Sequence, residues 1–200
     1  DTGVKTFGYD LADNLTDWED PNGNIVEVTY DDNNRKTAVD VTRGSGVLGT
    51  TAEDWTYDAL DRVTEAKDDD VTVQFTWDSL GRKKTEVSGP NPISGSGKTT
   101  SYTYDDAGNV TILAYPDGSF SLTRTFDDVN RLTLVEDGSG TDIVAEEYYG
   151  AGGRAKKFTF GNTMTADHGY DGFRWLSDLD HKTSGSTLRA GYDLVRDKVG

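Results

Sequence analysis

Hydrophobic and polar residues alternate with a period of two along much of this chain. Val71, Val73, Phe75 and Trp77 share one face of an extended segment while Thr72, Gln74 and Thr76 share the other; Phe120, Leu122 and Phe126 repeat the pattern opposite Ser121, Thr123 and Thr125. That period predicts strands with one face more apolar than the other. Each run meets a turn signal, an aromatic residue followed by Asp: YDLADNLT (9 to 16), YDDNNRKT (30 to 37), YDALDRVT (57 to 64), WDSLGRKK (77 to 84), YDDAGNVT (104 to 111) and FDDVNRLT (126 to 133). Looser copies follow as YGAGGRAK (149 to 156), YDGFRWLS (170 to 177) and YDLVRDKV (192 to 199). Successive aromatics lie 21, 27, 20, 27, 22, 23, 21 and 22 residues apart, so residues 1–200 read as one array of nine repeats.

The second position is Asp in eight copies, Asp10, Asp31, Asp58, Asp78, Asp105, Asp127, Asp171 and Asp193, with Gly150 the exception. An Asp carboxylate accepts a backbone N–H two residues on and starts a turn. The fifth position is Gly81, Gly108, Gly153, Asn34, Asn130, Asp13 or Asp61 in seven copies, residue types that tolerate positive φ. Together they predict a type I turn closed by a left-handed bulge residue, a common hairpin connection. Arg174 and Arg196 break the rule, which marks either a distorted end to the array or simple drift of the motif. After each turn come short pieces such as RVTEA and RLTLV, then a second turn signal: PNGN at 21 to 24, DDD at 68 to 70, PDGS at 116 to 119, DGSG at 137 to 140, GNT at 161 to 163 and SGS at 184 to 186.

The predicted fold is therefore all-β, an array of antiparallel β-hairpins forming a single-layer sheet. A lone hairpin is marginal in water, so the expected source of order is a pile of motif rings, Tyr9, Tyr30, Tyr57, Trp77, Tyr104, Phe126, Tyr149, Tyr170 and Tyr192, each pressed on the next. The intervals of 27 residues predict surface excursions at 40–54 and 87–101, both rich in Gly, Ser and Thr.

The motif YDxxGR, completed by a following apolar-Thr pair, resembles the YD-repeat, or Rhs-repeat, family. The likeness is close in WDSLGRKK and in YTYDDAGNVTILAYPDGSFSLTRTFDD (102 to 128), and extends loosely over all 200 residues. It implies long spiralling β-sheet walls around a large cavity, as in polymorphic bacterial toxins, the cocoon of Tc insecticidal toxins and the teneurin barrel. The resemblance carries over structural roles for the nine aromatics and their Asp neighbours. No segment matches the Asp-containing self-cleavage ending of bacterial members, so protease and toxin activities are not carried over. Nine repeats imply an arc belonging to a larger secreted or cell-surface protein.

Composition narrows the function further. The 36 acidic residues outnumber 20 basic ones for a net charge of −16, which argues against nucleic acid and anionic lipid as partners. Cysteine is absent, excluding disulfides and thiol chemistry, and no run approaches the length and apolarity of a membrane-spanning helix. GKT at 97 to 99 has Pro92 where a phosphate loop needs its first Gly, and is read as a loop. The three GSG segments are also read as loops. His168 and His181 stand in no metal-binding pattern, and the acidic runs Asp31–Asp32 and Asp68–Asp70 lack an EF-hand spacing. Neither cofactor nor metal is expected. Trp18, Trp55 and Trp175, with Trp77 of the motif, are the candidate contacts for sugar rings, and Asn14 and Asn109 fall in N-x-T sequons at one repeat position. Two functions remain open: a non-enzymatic shell or scaffold segment whose partners are the rest of a parent chain and an enclosed toxin domain, or an adhesive, carbohydrate-binding surface. An enzyme ranks behind both, because no catalytic set recurs.

Overall fold

Alternating strands punctuated by tight turns fold as a meander in which each strand pairs with its sequence neighbour. The computed structural model, which describes residues 4–93, 97–118 and 120–195, is all-β on that plan, with seventeen strands among the described residues. The chain divides into two compact halves, residues 1–100 and 101–200. The first holds β1 (Thr6–Tyr9), β2 (Leu15–Glu19), β3 (Ile25–Tyr30), β4 (Lys36–Thr42), β5 (Ala52–Tyr57), β6 (Val63–Asp68), β7 (Val71–Trp77) and β8 (Lys83–Pro90), each antiparallel to the next. In the second, β9 (Lys98–Tyr104) pairs through Ser101–Tyr104 with β10 (Val110–Ala114). The meander continues through β11 (Ser121–Phe126), β12 (Leu132–Asp137), β13 (Asp142–Tyr149), β14 (Arg154–Phe160), β15 (Thr165–Tyr170), β16 (Leu176–Lys182) and β17 (Leu188–Asp193). Helical geometry is confined to the single turns Pro116–Gly118 and Gly150–Gly152 among the described residues.

The register repeats with the motif. The first position pairs with the seventh in Tyr9↔Leu15, Tyr30↔Lys36, Tyr57↔Val63, Trp77↔Lys83, Tyr104↔Val110, Phe126↔Leu132 and Tyr170↔Leu176, and the ladder shifts there by a bulge. Between them the Asp N–H donates to the sixth-position carbonyl and the fifth-position N–H returns to the Asp carbonyl, as in Asp58 to Arg62 and Asp61 to Asp58 at 2.9 and 3.2 Å. The fifth residue is left-handed in every repeat among the described residues, from φ 58° at Asn34 to φ 90° at Gly108. Arg174 adopts φ 71° and closes the same pair of hydrogen bonds, so of the two alternatives that repeat shows drift of the motif without distortion. The ladder on either side fixes the conformation, and a long side chain bears the local cost of the left-handed region. Arg196 lies outside the described residues.

Little is buried in this single layer. Val28 and Val39, paired across β3 and β4, and Ala166 are the buried apolar side chains among the described residues, together with the polar Thr72, whose hydroxyl donates to Asn91 Oδ1 at 3.1 Å. The excursions are narrower than composition suggests. β4 runs to Thr42 and β5 starts at Ala52, leaving 43–51 irregular; β8 runs to Pro90 and β9 starts at Lys98, leaving 91–97, of which 94–96 fall outside the described residues.

Candidate functional site

The repeating chemistry of the chain lies at its hairpin turns. Oδ1 of Asp10, Asp31, Asp58, Asp78, Asp127 and Asp171 accepts the backbone N–H groups two and four residues on, at 2.8 to 3.1 Å. Asp105 accepts the N–H of Asn109 at 2.8 Å. Asp193 ends β17, next to the last described residues.

The second carboxylate oxygen takes the sixth-position side chain. Arg35, Arg62 and Arg131 each donate Nε to Oδ2 of their own Asp at 2.7 Å and lay Nη2 on the same oxygen at 2.6 Å, and Arg82 donates Nε to Asp78 at 2.6 Å. Asn14 and Asn109 replace the arginine and donate Nδ2 to Asp10 and Asp105 at 2.9 Å. Their amides also reach the following repeat, donating Nδ2 to Oδ1 of Asn34 and Asn130 at 2.9 and 3.0 Å. These bonds favour the ionised carboxyl. The Arg35 and Arg62 side chains hold Asp31 and Asp58 below the usual carboxylate range, the Asn side chains do so for Asp10 and Asp105, and the backbone N–H groups of Arg82 and Arg131 lead at Asp78 and Asp127.

The same side chains reach forward to the following repeat. Arg35 Nη1 donates to the Asp58 carbonyl at 3.3 Å, Arg62 Nη1 to that of Asp78 at 3.0 Å, and Arg131 Nη1 to that of Gly150 at 2.6 Å. Each guanidinium then lies on the next ring: Arg35 on Tyr57 at 4.6 Å, Arg62 on Trp77 at 5.7 Å, Arg131 on Tyr148 at 4.5 Å and Arg154 on Tyr170 at 5.0 Å from the centroids. Ring tips point backward. Tyr30 and Tyr57 hydroxyls donate to the carbonyls of Leu15 and Lys36 at 3.0 and 2.7 Å, and Trp77 Nε1 donates to that of Val63 at 2.8 Å.

This differs from the expected ring-on-ring pile. Among the described contacts between successive motif aromatics, only Tyr149 and Tyr170 meet as rings, edge to face at 5.9 Å; at Tyr57, Trp77 and Tyr148 the arginine of the preceding repeat lies on the ring instead. The exchange loses little, because an exposed cation–π contact contributes about 0.5–1 kcal/mol and an aromatic pair about 0.5–1.5 kcal/mol.

The seventh repeat also shifts. Tyr148 pairs with Ala155, lies under Arg131, and places its hydroxyl 2.7 Å from the Leu132 carbonyl and 2.6 Å from Glu146 Oε2. It occupies the ring position that sequence spacing assigns to Tyr149, since the Gly150–Gly152 turn makes this hairpin one residue longer. Burial, reinforced by Glu146, pushes the Tyr148 phenol up to about 12. The available signal was the Tyr148–Tyr149 doublet beside the one repeat without its Asp. Tyr149 donates to the His168 carbonyl at 3.1 Å, whereas Tyr9 and Tyr192 are exposed. Phe126 and Tyr104 hold the first position of their bulged pairs.

Two of the four tryptophans come together and two stand apart. Trp18 sits on β2 between Phe7 and Val26, and Trp175 stands exposed at a turn in the second half. Trp55 joins Phe75 and Trp77, with Arg62, Ala66 and Lys83, in an open apolar groove of about 520 Å³. Asp31 is committed to its turn and Asp69 to the N–H groups of Thr51 and Ala52, with its carboxyl held low by the Thr51 N–H first. No set of three metal-ligating side chains converges among the described residues.

The profile of the teneurin YD-shell family matches residues 2–171. No curated protein sequence matches the chain. Among solved structures, TcdB2-TccC3-TEV aligns with a TM-score of 0.77 at 14% identity, the Photorhabdus luminescens Tc holotoxin pore with 0.79 at 15%, and TcdB2-TccC3 without its hypervariable C-terminal region with 0.78 at 14%. Each alignment covers 99% of this chain and 11% of the other, so the chain spans about a ninth of the length of those proteins.

Proposed function

Because the chain belongs to the teneurin YD-shell family, we propose that it is a non-enzymatic wall segment of a hollow β-sheet shell within a longer secreted or cell-surface protein. The observation that carries this reading is the forward link: Arg35, Arg62 and Arg131 each join their own turn Asp to the carbonyl and ring of the following repeat. Residues that elsewhere make active sites are here committed to joining hairpins, which suits a wall. The names of the solved relatives, toxin components far longer than this chain, support a toxin domain as the enclosed cargo. Electron cryomicroscopy of the longer polypeptide tests it. A density shell with residues 1–200 in its wall, and a cargo resistant to protease until the shell is opened, is expected. A solid particle, or this segment projecting as a free arm, would overturn the proposal.

A second reading, adhesion to glycans, is favoured by the groove of Trp55, Phe75 and Trp77. On a glycan array it predicts reproducible binding that Trp55→Ala removes; an array without binding dismisses it.

A further inference from the structure

One arginine of the ladder has lost its carboxylate. At the sixth position of the seventh repeat, Arg154 Nε and Nη1 are shielded from solvent and have no hydrogen-bond partner, whereas the equivalent Nε atoms of Arg35, Arg62, Arg82 and Arg131 rest on the second-position Asp at 2.6 to 2.7 Å. The cause is in the sequence, since the seventh repeat has Gly150 in place of Asp. A Cβ built on Gly150 would meet nothing within 4 Å, so the space that a side chain would fill is open. A cavity of about 180 Å³ is lined by Tyr149, Arg154, Tyr170 and Asp171.

Guanidinium nitrogens screened from water and left without an acceptor are costly, and a planar carboxylate matches the fork. Asp171 does not fill the role: its Oδ1 accepts the N–H groups of Phe173 and Trp175, its own turn. Nor does its charge exclude an anion. Asp78 holds the same repeat position ahead of Arg62, and Arg62 still carries the carboxylate of Asp58. Tyr170, under the guanidinium at 5.0 Å, keeps the Arg154 fork in place.

We propose that Arg154 forms a carboxylate-binding site in which an external carboxylate takes the place of the missing turn aspartate. The carboxylate comes from a small free anion or from an acidic side chain of a polypeptide held against this face.

The test is a ¹H–¹⁵N NMR titration of the arginine Nε–H groups with sodium acetate, against sodium chloride at equal ionic strength. Arg131, whose fork Asp127 already fills, is the internal control. A saturable shift at Arg154, absent at Arg131 and absent with chloride, is expected. No shift at Arg154, or equal shifts at both arginines, would overturn the proposal. A short peptide with one Asp forms the second arm: tighter binding than acetate identifies a polypeptide source, and binding no tighter identifies a free anion. Arg154→Gln should lose the saturable component altogether while retaining the strand circular dichroism spectrum. Should that variant unfold, the wild-type comparison of Arg154 with Arg131 decides alone.

Discussion

A turn carboxylate here serves two sets of donors at once, backbone N–H groups on one oxygen and a side chain on the other. At Asp58 the two functions separate by substitution. Asp58→Asn keeps an oxygen for Leu60 and Arg62 N–H but surrenders the ion pair with Arg62, whereas Asp58→Ala loses both. Thermal melts should therefore rank wild type above Asn and Asn above Ala; equal melting temperatures for the two variants would show that the backbone bonds contribute nothing. Acid sensitivity follows from the same geometry. The carboxyls of Asp10, Asp31, Asp58, Asp78, Asp105 and Asp127 are held low when folded, while an unfolded Asp titrates near pH ~3.9. The unfolded chain therefore binds protons first as pH falls. The stability these groups add is complete above about pH 4 and declines as pH drops through their folded values. Denaturant midpoints that stay level from neutral pH to about pH 2 would contradict this.

Among elements, close backbone approach sets the tolerance of a hairpin. A Cβ on Gly161 would fall on the Asp142 carbonyl oxygen, where the Gly161 N–H already donates to Ile143. Gly161→Ala should lower stability by about 1–3 kcal/mol, as overpacking against an unyielding group does, read as a denaturant midpoint shift; an unchanged midpoint would mean that β13 and β14 slide apart freely. The strands and turns were legible in the chain because period-two alternation and Asp-to-Gly spacing act locally. The packing between repeats was less so. The planar heads of Arg35, Arg62 and Arg131 cover rings of the next hairpin, an arrangement that apolar periodicity does not register. Tyr149 was assigned Tyr148's place for a related reason: motif spacing counts residues, and one extra turn residue moves the ring that the sheet uses. The left-handed Arg174 shows the converse, a ladder overriding a local preference.

At the scale of the molecule, few side chains are buried and many large apolar ones face solvent, including Phe7 on β1 and Leu188 and Tyr192 on β17. A formal charge of −16 opposes contact between copies. Raising salt shortens the range of that repulsion to about 3 Å at 1 M, so light scattering from the chain should rise with salt; scattering that stays flat would show that the strand edges are not adhesive. The arginine link has one further consequence, because it runs in a single direction. A cut just after Arg35, Arg62 or Arg131 leaves the upstream piece with guanidinium donors that have no carbonyl ahead of them, and the downstream piece with an uncovered ring. The two surfaces of a break are chemically unlike, so two fragments can rejoin head to tail but not head to head.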